Sequence, residues 1–502
     1  MTPTTLPRSP LAGRLPRIGP SGWLLVGLVL LYAVGFSLLS IRPHLAQRTN
    51  MADLGQLDLA IWNTSQGRFV QEVKGETVST RLTDHVEPIF LAVGLVFRLW
   101  DDVRALLVVQ TLALALGAFP VYWLARDLLG GLPQVSPRAA GAYGLLFAFT
   151  YLMFPALQAA NLTEFHAIPL AVPLVLLAFW FLHRRQWLAF GVTNLLLLTV
   201  KEEAALLAFM LGVAGLWIAG RDAVARAPRA ARLRALAHSL LHPPAGLLVM
   251  ALSLAWFVAA TFVIIPHYAG QAYGVEQSVY FARFGPLGDS PLAIVRSFFT
   301  RPDLVWRIAR EAPRVHYLLG LLASAGFLSL LGPEVLLLGA PLLLVNLFSA
   351  YPAQYSGEFH YSAPLVPYFI VAAIVGARRI VMLSAHLASR GRGLGVRRTL
   401  WLLAGWLLLW VVVYQVLAGW TPIGREFRWD AVTPHDRLLD RFAAQAPAGE
   451  PGSVTTALYP HFSHREKLYK FPLVGDATWA LIDVTGTTDA HPAVVQEKVF
   501  DL

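Results

Sequence analysis

The sequence predicts an α-helical polytopic membrane protein. It has about eleven transmembrane helices and a small extracytoplasmic α/β domain at the C-terminal end. Three observations predict this. Of the 502 residues, 56% are hydrophobic and only 14% are charged. Long apolar runs recur from Gly22 to Trp420. The basic residues between them gather in short loops, where they orient a chain in a bilayer. The net charge of +10 is therefore read as membrane topology, and no nucleic-acid partner is expected. The chain has no cysteine, which excludes disulfides, thiolate metal sites and cysteine nucleophiles.

The apolar runs place spans at 22–41, 103–125, 138–156, 168–183, 187–200, 203–219, 245–265, 315–331, 335–349, 363–381 and 399–419. Arg8, Arg14 and Arg17 precede the first run, which ends at Ser40-Ile41-Arg42 without a small-residue cleavage pattern. It reads as a retained first helix. Segment 88–100 is apolar but short, and Asp101-Asp102 closes it, so a helix at the membrane surface is expected. With the tail 1–21 in the cytoplasm, the inner segments are 1–21, 126–138, 183–186, 220–244, 332–334 and 378–398. They hold 18 of the 40 Lys and Arg residues, in agreement with the positive-inside rule. The 187–200 run extends only about 20 Å as a helix, short of a core of about 30 Å. The Arg-rich 220–244 segment, poorly suited to the outside, favours a helical pair there. This scheme makes 22–419 a membrane domain and puts loops 42–102 and 266–314 outside, together with 420–502. It describes a multi-pass protein of the cell (plasma or inner) membrane, surrounded by lipid bilayer. The second outer loop mixes Tyr280, Phe281, Arg283 and Phe284 with Phe298, Phe299 and Arg301, the composition of amphipathic surface helices. Segment 420–502 carries strand-like runs at Ser453–Leu458 and Trp479–Val484 around a polar helix near Pro434–Ala446, hence the α/β expectation. No closing element is evident near Val499-Phe500-Asp501-Leu502, so this domain reads as incomplete.

All the unusual ionisable residues fall on the outer side of this scheme. Charge near a bilayer is costly to hold and points to function. Asp53 lies just beyond the first span. On one continuous helix Asp53, Gln56, Ala60 and Asn63 share a polar stripe, and Asp58 lies about 140° away from Asp53. Two readings stand: Asp53 and Asp58 are candidate catalytic carboxylates, or Asp53 caps a helix and Asp58 is solvated or paired. Asp84, His85 and Glu87 crowd before Pro88; Thr83 or Asp84 can cap there, but capping does not account for His85. Two turns echo one another, Glu164-Phe-His166 and Glu358-Phe-His360. Their Glu and His residues can serve interfacial hydrogen bonds or ligate a divalent metal, although no tight His pair is present. Lys201-Glu202-Glu203 reads either as a solvated hairpin tip or as a cation for an anionic headgroup held by its carboxylates. Asn161-Leu-Thr163 matches a glycosylation sequon, a frequent chance match. No Gly-rich phosphate loop, Gly-x-Ser-x-Gly or His-Glu-x-x-His occurs, which removes support for ATP-driven pumping and for serine or zincin hydrolysis.

Taken together, Asp53-Leu-Gly55, Trp62-Asn63, Gly67-Arg68, Asp84-His85 and the Gln110…Tyr122…Leu124-Ala-Arg126 run resemble the family of predicted membrane proteins called domain of unknown function 2079. His360–Pro367 and Pro460-His-Phe-Ser-His-Arg465 do so as well. The resemblance runs from the first span to about residue 485. Leu59 departs from it, standing where the family's Gln is expected, which weakens any role for an amide there. The family is itself similar to the GT-C membrane glycosyltransferases. That likeness implies transfer of a sugar from a polyprenyl-phosphate donor to an acceptor, with inversion and with a carboxylate as general base. Matching residue to motif places this base at Asp53. Arg81, His85, Lys201, Glu202 and Arg283 would then serve the phosphate, and Asp84, Glu87, Glu164, His166, Glu358 and His360 would surround it. No cofactor is implied with certainty, and a divalent metal stays among the alternatives. Two other classes remain beside the transferase. One is a lipid or amphiphile transporter, which usually carries its polar residues near the midplane; the other is a non-catalytic membrane assembly subunit.

Overall fold

The structure, a computed structural model, describes residues 19–241, 245–273 and 279–484. Residues 1–18 of the tail expected at 1–21 and the closing residues 485–502 lie outside the described residues. What is described is mostly helical.

The first helix, α1, runs Pro20–Leu45. It ends in a π-helical turn at Met51–Gly55 and a short helix α2, Gln56–Ser65. The hairpin β1 (Gln71–Lys74) and β2 (Thr77–Thr80) pairs antiparallel with Gln71 opposite Thr80. Helices α3 (Arg104–Gly130), α4 (Pro137–Leu152), α5 (Pro155–Leu162), α6 (Ile168–His183), α7 (Trp187–Leu198), α8 (Ala204–Arg226) and α9 (Ala245–Ala272) build the first half of the bundle. Two amphipathic helices follow, α10 (Pro291–Thr300) and α11 (Pro302–Ala309). The second half contains α12 (Ala312–Ala323), α13 (Pro333–Phe348), α14 (His360–Ser389) and α15 (Val396–Ala418).

Six of these are long and apolar enough to cross a membrane, α1, α3, α8, α9, α14 and α15; α4 and α5, bent by 47° at their junction, make a seventh if they form one span. Eleven spans were expected; six or seven of the described helices meet this length and composition, and α6, α7 and α13 are shorter apolar helices. Helix occurs at every expected position, but several runs are interrupted. Pro155 opens α5 after the bend. The run at 315–331 breaks after α12, where Gly326 and Phe327 adopt left-handed backbone and a 3₁₀ turn follows. Hydropathy counts apolar residues and does not see such breaks.

Burial ranks the helices. In α14, 72% of the apolar window is buried, against 28% in α9 and 22% in α15. Helix α14 is thus the central pillar, with Tyr368 wholly enclosed and its ring edge-on to Phe179 at 5.5 Å. Helices α9 and α15 turn most of their apolar surface outward, as helices facing lipid do.

After α15, helix α16 (Pro434–Ala443) begins at a Thr433/Asp436 capping box. It precedes three short parallel strands, β3 (Gly452–Val454) between β4 (Leu468–Lys470) and β5 (Trp479–Leu481). Their cluster of Val454, Leu458, Tyr459, Phe462 and Leu468 also takes in Leu59 from α2. Residue 59 therefore supplies apolar packing to the late segment, which accounts for a leucine in a place without need of an amide.

Candidate active site

The site is built on the turn after α1. Asn50 caps it by accepting the Ala52 N–H at 2.8 Å. Because the next five residues form a π turn rather than an α turn, the expected continuous stripe from Asp53 to Asn63 is broken. Asp53 and Gln56 face one cavity, whereas Asn63 is buried elsewhere and holds Arg68 Nε at 2.7 Å.

That cavity measures about 390 Å³. Asp53, Arg81, Asp84, His85, Glu87, His166, Lys201, Glu202, Arg283 and His360 all line it, joined by Glu203 and Gln354. Residues up to three hundred positions apart in the chain thus converge. An apolar wall comes from α8, α9, α13 and the 281–284 turn: Leu206, Phe257, Ile265, Phe281, Phe284, Leu342 and Val345. A second π turn, at 260–264, brings Thr261 of α9 to this wall.

Asp53 is half exposed, and its Oδ1 stands 3.3 Å from His166 Nε2. Burial pushes its carboxyl up, but contact with His166 and the charge of Arg81 more than offset this and hold it below the usual carboxylate range. It is ionised at neutral pH. The two echoing turns meet here: the His166 and His360 rings stack at 3.6 Å.

Most of the remaining charges are tethered by named partners. Arg81 Nε donates to Glu87 Oε2 at 2.6 Å. Lys74 on β1 pairs with Asp84; burial alone would raise Asp84, yet Lys74 leaves it lowered. His85 Nδ1 lies 2.8 Å from Glu202 Oε1, while Glu202 Oε2 accepts the Val86 N–H at 3.0 Å. Burial holds His85 well below the ordinary imidazole range, reinforced by Lys201, and raises Glu202. Lys201 Nζ sits 3.5 Å from Glu203 Oε1. Lys201 and Glu202 are buried, so the reading of 201–203 as a solvated tip is corrected: the Thr199–Glu203 break folds inward and lines the cavity. The Arg283 guanidinium lies 4.9 Å from the centre of the Tyr351 ring.

Three candidates lie elsewhere. Asp58 is wholly buried on the far side of α2, where Ser463 Oγ donates to it at 2.5 Å and His464 Nε2 stands 3.1 Å away. It is the paired carboxylate of the two readings, not a second cavity carboxylate. Glu164 sits behind the Asp53 turn and accepts hydrogen bonds from its backbone. Glu358 lines a different cavity, between α5, α12 and the end of α15. The two echoing turns therefore bring their histidines together and send their glutamates apart. Asn161 is fully buried and accepts from Thr111 Oγ1 at 3.0 Å, so the sequon there presents no acceptor amide. Gln110, behind the site, enters the sequence reading only through the family resemblance; its buried amide bonds three backbone groups of the 160–166 turn.

Among the described residues no three His, Asp or Glu side chains converge in a way that would hold a metal ion. The arrangement does offer an ionised carboxylate, cations and an apolar wall in one cavity. Such a cavity suits an amphiphile with an anionic head.

A profile of the family described as "Predicted membrane protein (DUF2079)" matches residues 48–485, and the chain belongs to this family. Among solved structures it is similar to ArnT from Cupriavidus metallidurans bound to undecaprenyl phosphate, with a TM-score of 0.47 and 15% identity, covering 90% of this chain and 86% of that one. It is also similar to the arabinofuranosyltransferase AftD from Mycobacteria, with a TM-score of 0.41 and 16% identity; the match covers 91% of this chain but only 32% of AftD. No curated protein is matched.

Proposed function

We propose that this member of the family is a membrane glycosyltransferase. It moves a sugar from a polyprenyl-phosphate donor to an acceptor hydroxyl at the extracytoplasmic face, with inversion. The observation that carries this reading is one cavity that an ionised, half-exposed Asp53 shares with Arg81, Lys201, Arg283 and an apolar wall. A lipid phosphate needs both the cations and the wall, and a hydroxyl acceptor needs the base.

The step balances with these parts. The acceptor oxygen attacks the anomeric carbon from the face opposite the phosphate. The bond between that carbon and the phosphate oxygen breaks, and the electron pair leaves with the polyprenyl phosphate. Asp53 takes the proton of the attacking hydroxyl. Lys201 and Arg283 offset the charge that develops on the leaving phosphate. The buried His85–Glu202 pair holds the 201–203 break against the 81–87 turn, and so places Lys201.

The test uses purified protein in detergent, radiolabelled polyprenyl-phosphosugars and membrane-derived acceptors. Wild type is expected to form covalent product, and Asp53→Asn to lower its rate about 10²–10⁴-fold, the usual contribution of a positioned general base. Full transfer by Asp53→Asn would remove the base assignment. Substrate movement across liposomes with no covalent product would replace the transferase by a transporter.

A further inference from the structure

Glu164 is neither in the cavity nor idle. It sits in left-handed backbone with φ of 65°, a conformation that a non-glycine residue adopts at a cost and that surrounding structure must enforce. What enforces it is visible. The fully buried Gln110 of α3 donates Nε2 to the carbonyls of Ala160 at 3.0 Å and Glu164 at 2.9 Å, and its Oε1 accepts the His166 N–H at 2.8 Å. One amide thus pins both ends of the 160–166 turn.

The turn so pinned reaches Asp53 twice. Glu164 Oε1 accepts from Asn50 N at 3.1 Å and from Asn50 Nδ2 at 3.0 Å, and Oε2 accepts from Leu54 N at 2.7 Å. These donors bracket Asp53 on either side in the chain. Two residues on from Glu164, His166 meets the Asp53 carboxylate itself. The backbone of the π turn and the side chain it carries are therefore both held by one loop.

We infer that Glu164 is a positioning residue for Asp53, its carboxylate clamping the π turn and Gln110 setting the clamp; the inference rests on Asp53 being the base. The residue type follows from the geometry. Burial and the charge of Asp53 push the Glu164 carboxyl up to about 8, while the Leu54 and Asn50 N–H groups pull it down; three donors converge on two oxygens, and only the ionised carboxylate offers acceptors on both sides. A glutamine there would turn its own N–H₂ toward a backbone N–H and lose one arm.

The test compares wild type, Asp53→Asn, Glu164→Gln and Gln110→Leu as full-length chains in detergent. Amide hydrogen exchange is followed by mass spectrometry, and transfer kinetics are measured alongside. In Glu164→Gln and Gln110→Leu the peptide covering 50–55 is expected to exchange about tenfold faster or more, which corresponds to about 1.4 kcal/mol of lost local protection. Peptides from α14 are expected to keep their wild-type rates. The kcat is expected to fall about 10²-fold, the effect of a misplaced reacting group, with KM for the donor within about twofold, because the clamp touches no ligand. The acid limb of the rate profile should move up, since Asp53 loses its register with His166 and Arg81, which hold it low. Unchanged exchange at 50–55, or a kcat loss matched by loss of folded protein with an unmoved acid limb, overturns the clamp. If Asp53→Asn transfers at full rate, the base assignment fails, and exchange at 50–55 still decides whether the clamp exists.

Discussion

At Gly55 the candidate site leaves no room for a side chain: a Cβ there would lie 2.6 Å from Tyr459 Cδ1. The turn that carries Asp53 is thus gripped by Glu164 on one side and by the late segment on the other. Gly55→Ala is expected to force them apart at a cost of about 1–3 kcal/mol. Thermal unfolding in detergent should show the loss as a lowered Tm, and transfer should fall with it. An unchanged Tm with full transfer would mean that Tyr459 swings aside freely. The same few residues show what can be read from sequence. Asp53, His85 and Lys201 were legible because a charge in so apolar a chain needs a reason. Asp58 was separated from Asp53 only by an angle argument that assumed one α-helix. The partners that settle its role, Ser463 and His464, lie 405 and 406 positions away, and no local pattern encodes them. Gln110 has no charge, so its part behind the site is invisible to any argument from cost.

At the scale of elements, His464 joins the late segment to the rest of the molecule. Its Nε2 lies 3.1 Å from Asp58 on α2, and its Nδ1 lies 2.7 Å from Asp101 in the loop before α3. Burial pushes the imidazole down, but the two carboxylates outweigh it and hold it above its ordinary value. The sign follows from linkage. A raised folded value gives stability that is fully present below the unfolded value and is lost as pH rises through the folded one. Docking of 434–481 is therefore expected to loosen as pH rises from the ordinary imidazole value through the raised folded one, with faster proteolysis of that segment. Asp58→Asn should loosen it at low pH and flatten the dependence; a pH-independent cleavage rate in wild type would contradict the latch. Helices α8 and α9 meet differently, by close backbone approach. A Cβ on Gly212 would lie 2.7 Å from Met250 Cγ and 2.9 Å from the Gly246 carbonyl, and one on Gly246 would lie 3.0 Å from the Gly212 carbonyl. Small residues bring helices together in this way where lipid supplies no hydrophobic drive. Gly212→Val is expected to cost about 1–3 kcal/mol, read as a lowered Tm. Because α8 and α9 both contribute to the cavity's apolar wall, donor KM should rise with it.

For the whole molecule, the decisive expectation is sidedness, because a polyprenyl-linked donor on the outside requires the cavity to open there. Arginines supply the argument. The end of α8 and the α8–α9 connection carry Arg221, Arg226, Arg229, Arg232 and Arg234, and the α14–α15 connection with the start of α15 carries Arg390, Arg392, Arg397 and Arg398. Translocating either is costly, so both are expected inside. The hairpin turn at Glu76 and the late segment at Glu466 belong to the end of the bundle that holds Asp53, since Asn63 of α2 bonds the carbonyls of both Gln71 and Glu466. The chain offers a clean measurement because it contains no cysteine: each introduced thiol is the only one. Single variants Glu76→Cys and Glu466→Cys are expected to react with a membrane-impermeant maleimide added to intact cells. Arg229→Cys and Arg392→Cys should react only after the membrane is opened. Because the number of crossings between Glu76 and Glu466 sets whether they share a side, this pattern also tests the helix count, which broken helices and short apolar helices leave open to hydropathy alone. Labelling of Arg392→Cys from outside would invert the second half of the bundle, and labelling of Arg229→Cys as well would place the cavity in the cytoplasm, where an extracytoplasmic lipid-linked sugar could not reach Asp53.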